Sequence, residues 1–594
     1  MRRLLALAAF ALASVGAPSH AETVLRYALP AAETGFDPER AGDLYSRFII
    51  CSVFAPALRY NWLSGGEIEP AMLASLPEAS ADFKTFTFRV KPGIYFADDA
   101  AFNGNKRELV AEDFVYSFKR IYDPHEKSPF YSGLETLRIK SLDDLREAAS
   151  KSGSFDYDKQ VDGARALDRY TFRIQLGVAS PRFAENNFVE GIHPVAREVV
   201  EKYGDGIGEH PVGTGPYMIK EWIRSSKIVL VKNPNFHEDI YDAHPKPGDA
   251  EGAAIAATFK GRRMPFIDRI EISIIEESQP RWLAFVNAEH DLITPMPLDM
   301  APLAIPNNQL APSLAKQHVQ YWHAPSMQVS PIIFNMENPV VGGYTPEKVA
   351  LRRAIGLGFN SPRMISSVFK YQGIPAQSPI LPNQYGFDPN LRTEMGQYDP
   401  ARANAMLDTY GYLPRHGGKW RDLPDGSPLV IEFLTEPEQI IRSVDEVIKK
   451  SFDDLGIRIT FTAAKWPDQY KKVQAGNYMM WFLGRSSTSL DPSGGFEAGY
   501  GPGKGGANLP RFELPAYDEL FRQSEQLPDS PERLEKLRAM TNLLIAYEPY
   551  KFTYSPIRTN LAFPWVKGWR PDPLILGWWQ YVDIDEAMQK PHLR

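Results

Sequence analysis

The sequence predicts an α/β protein folded as two lobes, on three observations. The chain has 594 residues, more than one hydrophobic core ordinarily supports, so two or more domains are expected. Apolar residues make up 43% of it and aromatic residues 12%, too much for a disordered chain and enough for extensive burial. The second half alternates strand-like and helix-like patterns, which implies βαβ units around a largely parallel sheet.

At the start, Arg2 and Arg3 precede the apolar stretch Leu4–Val15, and small residues end in Ser19-His20-Ala21. This is the layout of a secretory signal peptide, with cleavage expected after Ala21. The stretch is shorter than the ~18–20 apolar residues that span a bilayer, and no later run reaches that length. No cysteine stands at the cleavage point to carry a lipid. The expected mature protein is exported, soluble and unanchored, as suits a periplasm.

Further along, Lys84–Val90 alternates and places Phe86, Phe88 and Val90 on one face of a strand. Lys91-Pro92-Gly93 signals a turn and Ile94–Phe96 resumes, so the stretch reads as a hairpin. Ala111-Glu112-Asp113 opens a helix with Phe114, Phe118 and Ile121 on its apolar face, stopped at Asp123-Pro124. Tyr170–Leu176 alternates as another strand. In the second half, Asp399-Pro400 caps a helix through Ala403, Met406, Leu407 and Tyr410, and Gly411 ends it. Leu429–Leu434 reads as a strand. Val444, Val447, Ile448, Phe452 and Leu455 mark an amphipathic helix ending at Gly456. Ile457–Thr462 is a strand, Gln469–Ala475 helical, and Tyr478–Leu483 a buried strand.

Composition excludes several functions. With 66 basic and 73 acidic residues the net charge is −7, and no basic run or stripe offers a nucleic-acid surface. One cysteine, Cys51, forbids an internal disulfide and multi-cysteine metal sites, and reads as a small buried thiol. Neither a G-x-S-x-G elbow nor an H-E-x-x-H pair is present. His237, Glu238 and His244 flank a Pro-rich loop that reads as solvated. The run Gly499–Gly506 lacks the Ser or Thr of a phosphate loop. No catalytic residue, metal site or cofactor is expected.

Several stretches, in order, resemble the bacterial extracellular solute-binding proteins of family 5, the oligopeptide, dipeptide and nickel-binding class. They are Gly35-Phe36-Asp37-Pro38, Ala71–Ala74, the A-E-D-F-V-Y-S-F-K-R helix, Asp162–Asp168, and above all H-P-V-G-T-G-P-Y from His210 to Tyr217. Downstream follow Phe334-Asn335, Leu351–Ile355, Tyr398–Ala401, Asn508, Arg511-Phe512, Asp518 and Pro564-Trp565-Val566. By itself G-T-G-P-Y is a tight turn before a strand, with Tyr217 packed.

The resemblance implies a type II periplasmic binding protein clamshell with an extra subdomain in its first lobe. The first lobe would comprise residues 22–331 plus 554–594, with an insertion at about 61–189, and the second 332–553. Phe334, Asn335, Tyr554 and Ser555 would lie at the hinge crossings. The resemblance also implies a monomeric periplasmic receptor that captures a peptide or peptide-like solute and passes it to the permease of an ABC importer. A non-peptide solute (metal chelate, opine or oligosaccharide), a secreted hydrolase and a folding helper are the other readings.

In peptide-binding relatives an aspartate that holds the peptide ammonium lies three residues before the Asp491 equivalent, where this chain has Thr488. A hydroxyl supplies no countercharge to an ammonium. An aromatic follows the Gly484 equivalent in those relatives, where this chain has Arg485, which would favour an anion in a cleft or simply end a strand at the surface. Trp481 would line the cleft or fill core. Tyr45 and Arg47 would contribute cleft contacts or belong to an exposed loop.

Overall fold

The computed structural model describes residues 22–189, 191–415, 418–487 and 489–592. The expected signal peptide and Thr488 lie outside the described residues.

A four-stranded sheet is ordered Val24–Leu29, Arg269–Ile274, Lys227–Lys232, Tyr217–Ile223. Its first pair is parallel and the others antiparallel. Leu25, Tyr27 and Leu29 bury against Ile270, Ile272, Ile228 and Leu230, as the two-residue side-chain period of strands requires. The G-T-G-P-Y turn leads into its last strand. There the glycines serve close approach: a Cβ on Gly213 would sit 2.1 Å from the Val53 carbonyl oxygen, and Gly215 N–H donates to that same carbonyl at 2.8 Å.

A second sheet, ordered Glu78–Ala79, Thr85–Arg89, Thr171–Gln175, Ala164–Ala166, corrects the expected hairpin. Thr85–Arg89 pairs with Thr171–Gln175. Ile94–Phe96 instead exchanges backbone bonds with Arg107–Leu109. Aromatic packing accounts for the long-range choice: Phe88 stacks on Phe172 at 4.6 Å, and Phe114 of the helix Ala111–Tyr122 covers Phe172 at 4.9 Å. Arg120 of that helix, fully buried, pairs with Asp37, Glu39 and Glu126, tying the helix to the early Asp37-Pro38 stretch.

The largest sheet has nine strands, centred on the 13-residue strand Tyr550–Ala562. Its first half pairs antiparallel with Gln328–Phe334, and its second half with Gln320–Pro325. Beyond Gln328–Phe334 come Met480–Phe482, Val430–Thr435 and Arg458–Ala463. These last three are mutually parallel, but the sheet as a whole is mixed, because the crossing strands enter antiparallel. One core cluster sits on this side, joining Ile332, Phe334, Leu351, Ile431, Phe433 and Met480 to the helix Gln439–Asp454 through Val444, Ile448 and Phe452. Gly456 ends that helix region at φ 69°, where a side chain would be strained. The expected helix after Asp399 forms as Pro400–Thr409, its cap accepting from Arg402 N–H at 2.9 Å.

Candidate functional site

A cavity of about 140 Å³ opens where Tyr550–Ala562 changes partners. Tyr554, Arg558 and Thr559 of that strand line it, with Gln328 from the neighbouring strand. Met296 and Leu298 close it from the segment that follows Leu292–Ile293, and Phe369 and Gln372 from the loop before Gly373–Pro375. The Phe369 ring stacks on Tyr554 at 4.3 Å. In that loop Lys370 and Tyr371 both take positive φ, 49° and 61°, and Tyr371 is 63% exposed. Left-handed backbone at consecutive non-glycine residues costs about 1–2 kcal/mol each and is held here by packing around it.

Arg558 is the unusual residue. Its side chain is exposed, yet enough protein surrounds it that desolvation pulls its pKa down. Its Nη2 donates to Gln328 Oε1 at 2.8 Å. The ionisable groups within electrostatic reach are the phenols of Tyr554 and Tyr45. Tyr45 is half-buried; burial raises its pKa, while Arg558 and Arg281 act on it in the opposite sense. Arg281 is itself buried, and its Nη1 donates to the carbonyls of Ile275 and Glu276 at 2.7 and 3.0 Å. Burial lowers the Arg281 pKa. Of the lining residues Arg558 alone is charged, and Asp299, next to the lining Leu298, acts on Arg281.

The residues expected from sequence fall in different places. Arg485 belongs to a two-residue strand that pairs with Gln328-Val329, so it adjoins the cavity wall. Its guanidinium donates to Gly494 O at 2.7 Å. Burial raises the Glu497 carboxyl, which Arg485 partly offsets. Tyr45 lies within electrostatic reach of Arg558 and Arg281 and belongs to the helix Leu44–Val53, so no exposed loop is involved. Arg47 lies on that same helix but is 6% exposed, and its guanidinium donates to the carbonyls of Pro38 and Gly191 at 3.3 and 2.9 Å. A contact also joins it to His193 Nε2, so it braces the framework instead of standing in a cleft. Trp481 is 1% exposed and fills core, its indole N–H donating to Glu436 Oε1 at 3.2 Å beside Trp466 and Tyr470.

The crossings run side by side: Ser330 pairs with Tyr554 and Pro331 with Phe552, with a register shift between. Asn335 is buried, its side chain donating to the carbonyls of Gly476 and Tyr478 at 2.9 and 2.8 Å. Phe334 and Ser555 are also buried. A second bridge lies beyond the crossings. Arg182 pairs with Asp491 and donates to Leu527 O at 2.8 Å, while Arg533 pairs with the other oxygen of Asp491. Burial pushes the Asp491 carboxyl up, but the two arginines outweigh it and hold the pKa below the usual carboxylate range.

Sequence reasoning missed Arg558, Gln328, Phe369, Gln372, Arg281 and Arg182. A signal existed for Arg558, a lone charge within the largely buried run F-T-Y-S-P-I-R-T-N-L-A.

Among the described residues, no three His, Cys, Asp or Glu side chains gather as a metal would need, and no helix is long and apolar enough to cross a membrane. Two α/β halves sharing crossing strands, with a cavity at the crossing, make the fold of the type II periplasmic binding proteins. The chain overlays on the periplasmic binding protein DppA of Helicobacter pylori, solved with the peptide STSA, with TM-score 0.69 and 20% identity over 95% of this chain and 98% of that one. The bacterial extracellular solute-binding proteins, family 5 (Middle), match residues 67–507, and the chain belongs to that family. It is 24% identical to di/tripeptide-binding protein 2 of Pseudomonas aeruginosa, covering 98% of this chain and 99% of the relative. It is 23% identical to the oligopeptide-binding protein OppA of Bacillus subtilis, covering 89% and 87%.

Proposed function

We propose that the chain is the periplasmic receptor of an ABC importer, capturing a peptide or peptide-like solute between its lobes and delivering it to a membrane permease. It acts as an exported monomer, freed from its leader after Ala21. Residues 22–331 with 554–594 form the first lobe, carrying an insertion at about 61–189, and 332–553 form the second. Phe334, Asn335, Tyr554 and Ser555 stand at the hinge. No bond is made or broken in the solute; closure removes water, and the difference in affinity between open and closed forms shifts the population.

One observation carries the reading: the cavity is walled by segments from both sides of the shared strand, so a guest there touches both lobes at once. The peptide ligands named for its relatives support the solute class. Protein purified from its source without denaturation, weighed by native mass spectrometry, is expected to carry one small molecule per chain, recoverable unchanged. Small-angle scattering should show contraction when that molecule is added back to stripped protein. Turnover of the molecule, or identical scattering with and without it, refutes the proposal.

A further inference from the structure

We propose that Lys370-Tyr371 is a sprung third joint between the two lobes, whose backbone strain is carried in the form described here and released when the lobes shift. This rests on the lobe division proposed above, and the experiment distinguishes its failure from failure of that division.

The joint is defined by what holds the chain on either side of it. Before it, the π-helical turn Met364–Val368 sits in the second core cluster, with Met364, Ile365 and Val368 buried. Phe369 N–H donates to Met364 O at 3.1 Å and Tyr371 N–H to Ile365 O at 2.9 Å, so the chain up to this point is tied to the second lobe. There the shared strand is met by ring stacking, Phe369 on Tyr554 at 4.3 Å, a contact without hydrogen bonds that can slide.

After the joint, the chain is fastened to the part of the shared strand assigned to the first lobe. Ile557 N–H donates to Gln372 O at 3.1 Å, and Thr559 Oγ1 to Gln372 Oε1 at 2.8 Å. Gly373, Ile374 and Pro375 then pair with Pro556, Ser555 and Tyr554. Gly373 permits that approach, since a Cβ there would stand 2.7 Å from Tyr554 Cδ2. On the return, Pro375 fixes its own φ, and Ala376 N–H is held by Thr553 O at 3.3 Å. A change in lobe position therefore falls on the residues between the anchored stretches, as hinge residues absorb changes in φ and ψ.

The strain lies at the joint itself. Lys370 and Tyr371 have φ of 49° and 61°, left-handed values that crowd a Cβ. Among the described residues one other pair of consecutive non-glycine residues is left-handed, Asn307-Asn308. Asparagine tolerates that backbone through its short polar side chain, which lysine and tyrosine lack. The two pairs meet across the proposed boundary, Gln372 Nε2 lying 3.4 Å from Asn308 Oδ1. The side chains of Lys370 and Tyr371 are exposed, so their own burial does not compel the geometry; the fastenings on either side do. Strain of this kind gathers at clamps and switches, where neighbouring structure over-determines the backbone.

The test places nitroxide labels on the mature protein, stripped of solute, at Lys151→Cys in the first lobe and Lys450→Cys in the second. Both lysines are exposed, and Cys51→Ala removes the native thiol. Pulsed electron resonance reads the distances between labels, with and without a tryptic digest of casein. Two distance populations are expected, one matching the form described here. Tyr371→Gly should raise that population relative to the other about fivefold or more, because glycine bears left-handed backbone without the Cβ cost. Tyr371→Val bears it worse and should move the ratio the other way. Lys127→Gly relieves an exposed left-handed residue, φ 50°, within the proposed first lobe and should leave the ratio unchanged. A ratio indifferent to both Tyr371 substitutions, moved the same way by both, or moved as much by Lys127→Gly, overturns the joint while leaving two lobes standing. One distance throughout, digest included, overturns lobe movement and this proposal with it. Tyr371→Gly against Lys127→Gly decides the matter even where Tyr371→Val fails to fold.

Discussion

Arg182→Ala should weaken solute binding without unfolding the protein, because its partners lie across the proposed lobe boundary. Arg182 precedes the short helix Phe183–Phe188, whereas Asp491 and Leu527 fall in the proposed second lobe. In the structure Arg182 pairs with the buried Asp491, lies 3.5 Å from Glu525 and donates to the Leu527 carbonyl. When the lobes part, both ends return to water. Hydrogen bonds to charged groups contribute about 1.5–3 kcal/mol net, so the closed form should lose roughly that much relative to the open one. That corresponds to roughly 10- to 150-fold weaker apparent affinity. Asp491 keeps Arg533 in either form, so lobe stability should hold. Asp491→Asn behaves differently: it removes the carboxylate that Arg182 and Arg533 share, leaving Arg533 paired with the half-exposed Asp529, and should cost about 1.5–3 kcal/mol of folding stability. Calorimetric titration with the co-purified solute, alongside thermal melts, separates the two. Unchanged affinity in Arg182→Ala, or a loss of affinity matched by a fall in melting temperature, would refute the reasoning.

Gly213→Ala should lower stability by several kcal/mol on the scale of overpacking and backbone displacement (about 1–3 kcal/mol or more), since its Cβ would meet the Val53 carbonyl at 2.1 Å. Urea unfolding reads this as a lower midpoint, and a midpoint equal to wild type would contradict the close-approach account. His290 is buried, and burial lowers its pKa to about 4. A depressed histidine pKa means the unfolded chain binds the extra proton first. Its contribution is therefore complete above the unfolded value near 6.5 and lost as pH falls toward 4, by at most about 3 kcal/mol. Melting curves from pH 7 to 4 should show a shallower decline in His290→Gln than in wild type, and parallel declines would exclude His290 as the cause.

Local patterns were the legible part of this sequence. The stripe Val444, Val447, Ile448, Phe452, Leu455 is buried as its spacing requires, and the Asp399 cap and Gly456 stop are in place. These depend on neighbours a few residues apart. Pairing across long separations was not legible: Thr85–Arg89 looked like half of a hairpin because a turn signal follows it, yet its partner is Thr171–Gln175. Charges behave likewise. Arg182 and Asp491 are 309 positions apart, and nothing near either residue in the chain announces the other. The place of Arg47 after Asp37-Pro38 suggests a cleft contact or an exposed loop, but carbonyls from Pro38 and Gly191 converge on it only in the fold. Trp481 shows the same limit, since its partner Glu436 lies 45 positions away and only the fold brings the two together.

The ribbon Tyr550–Ala562 pairs with strands on both sides of the cavity, while Tyr554 and the run Pro556–Thr559 supply its part of the pocket wall. Its backbone groups are taken up by neighbouring strands, and its side chains are what the pocket presents. Evolution can thus remodel that wall by rewriting a few letters of a single ribbon, leaving the pairing that holds it untouched.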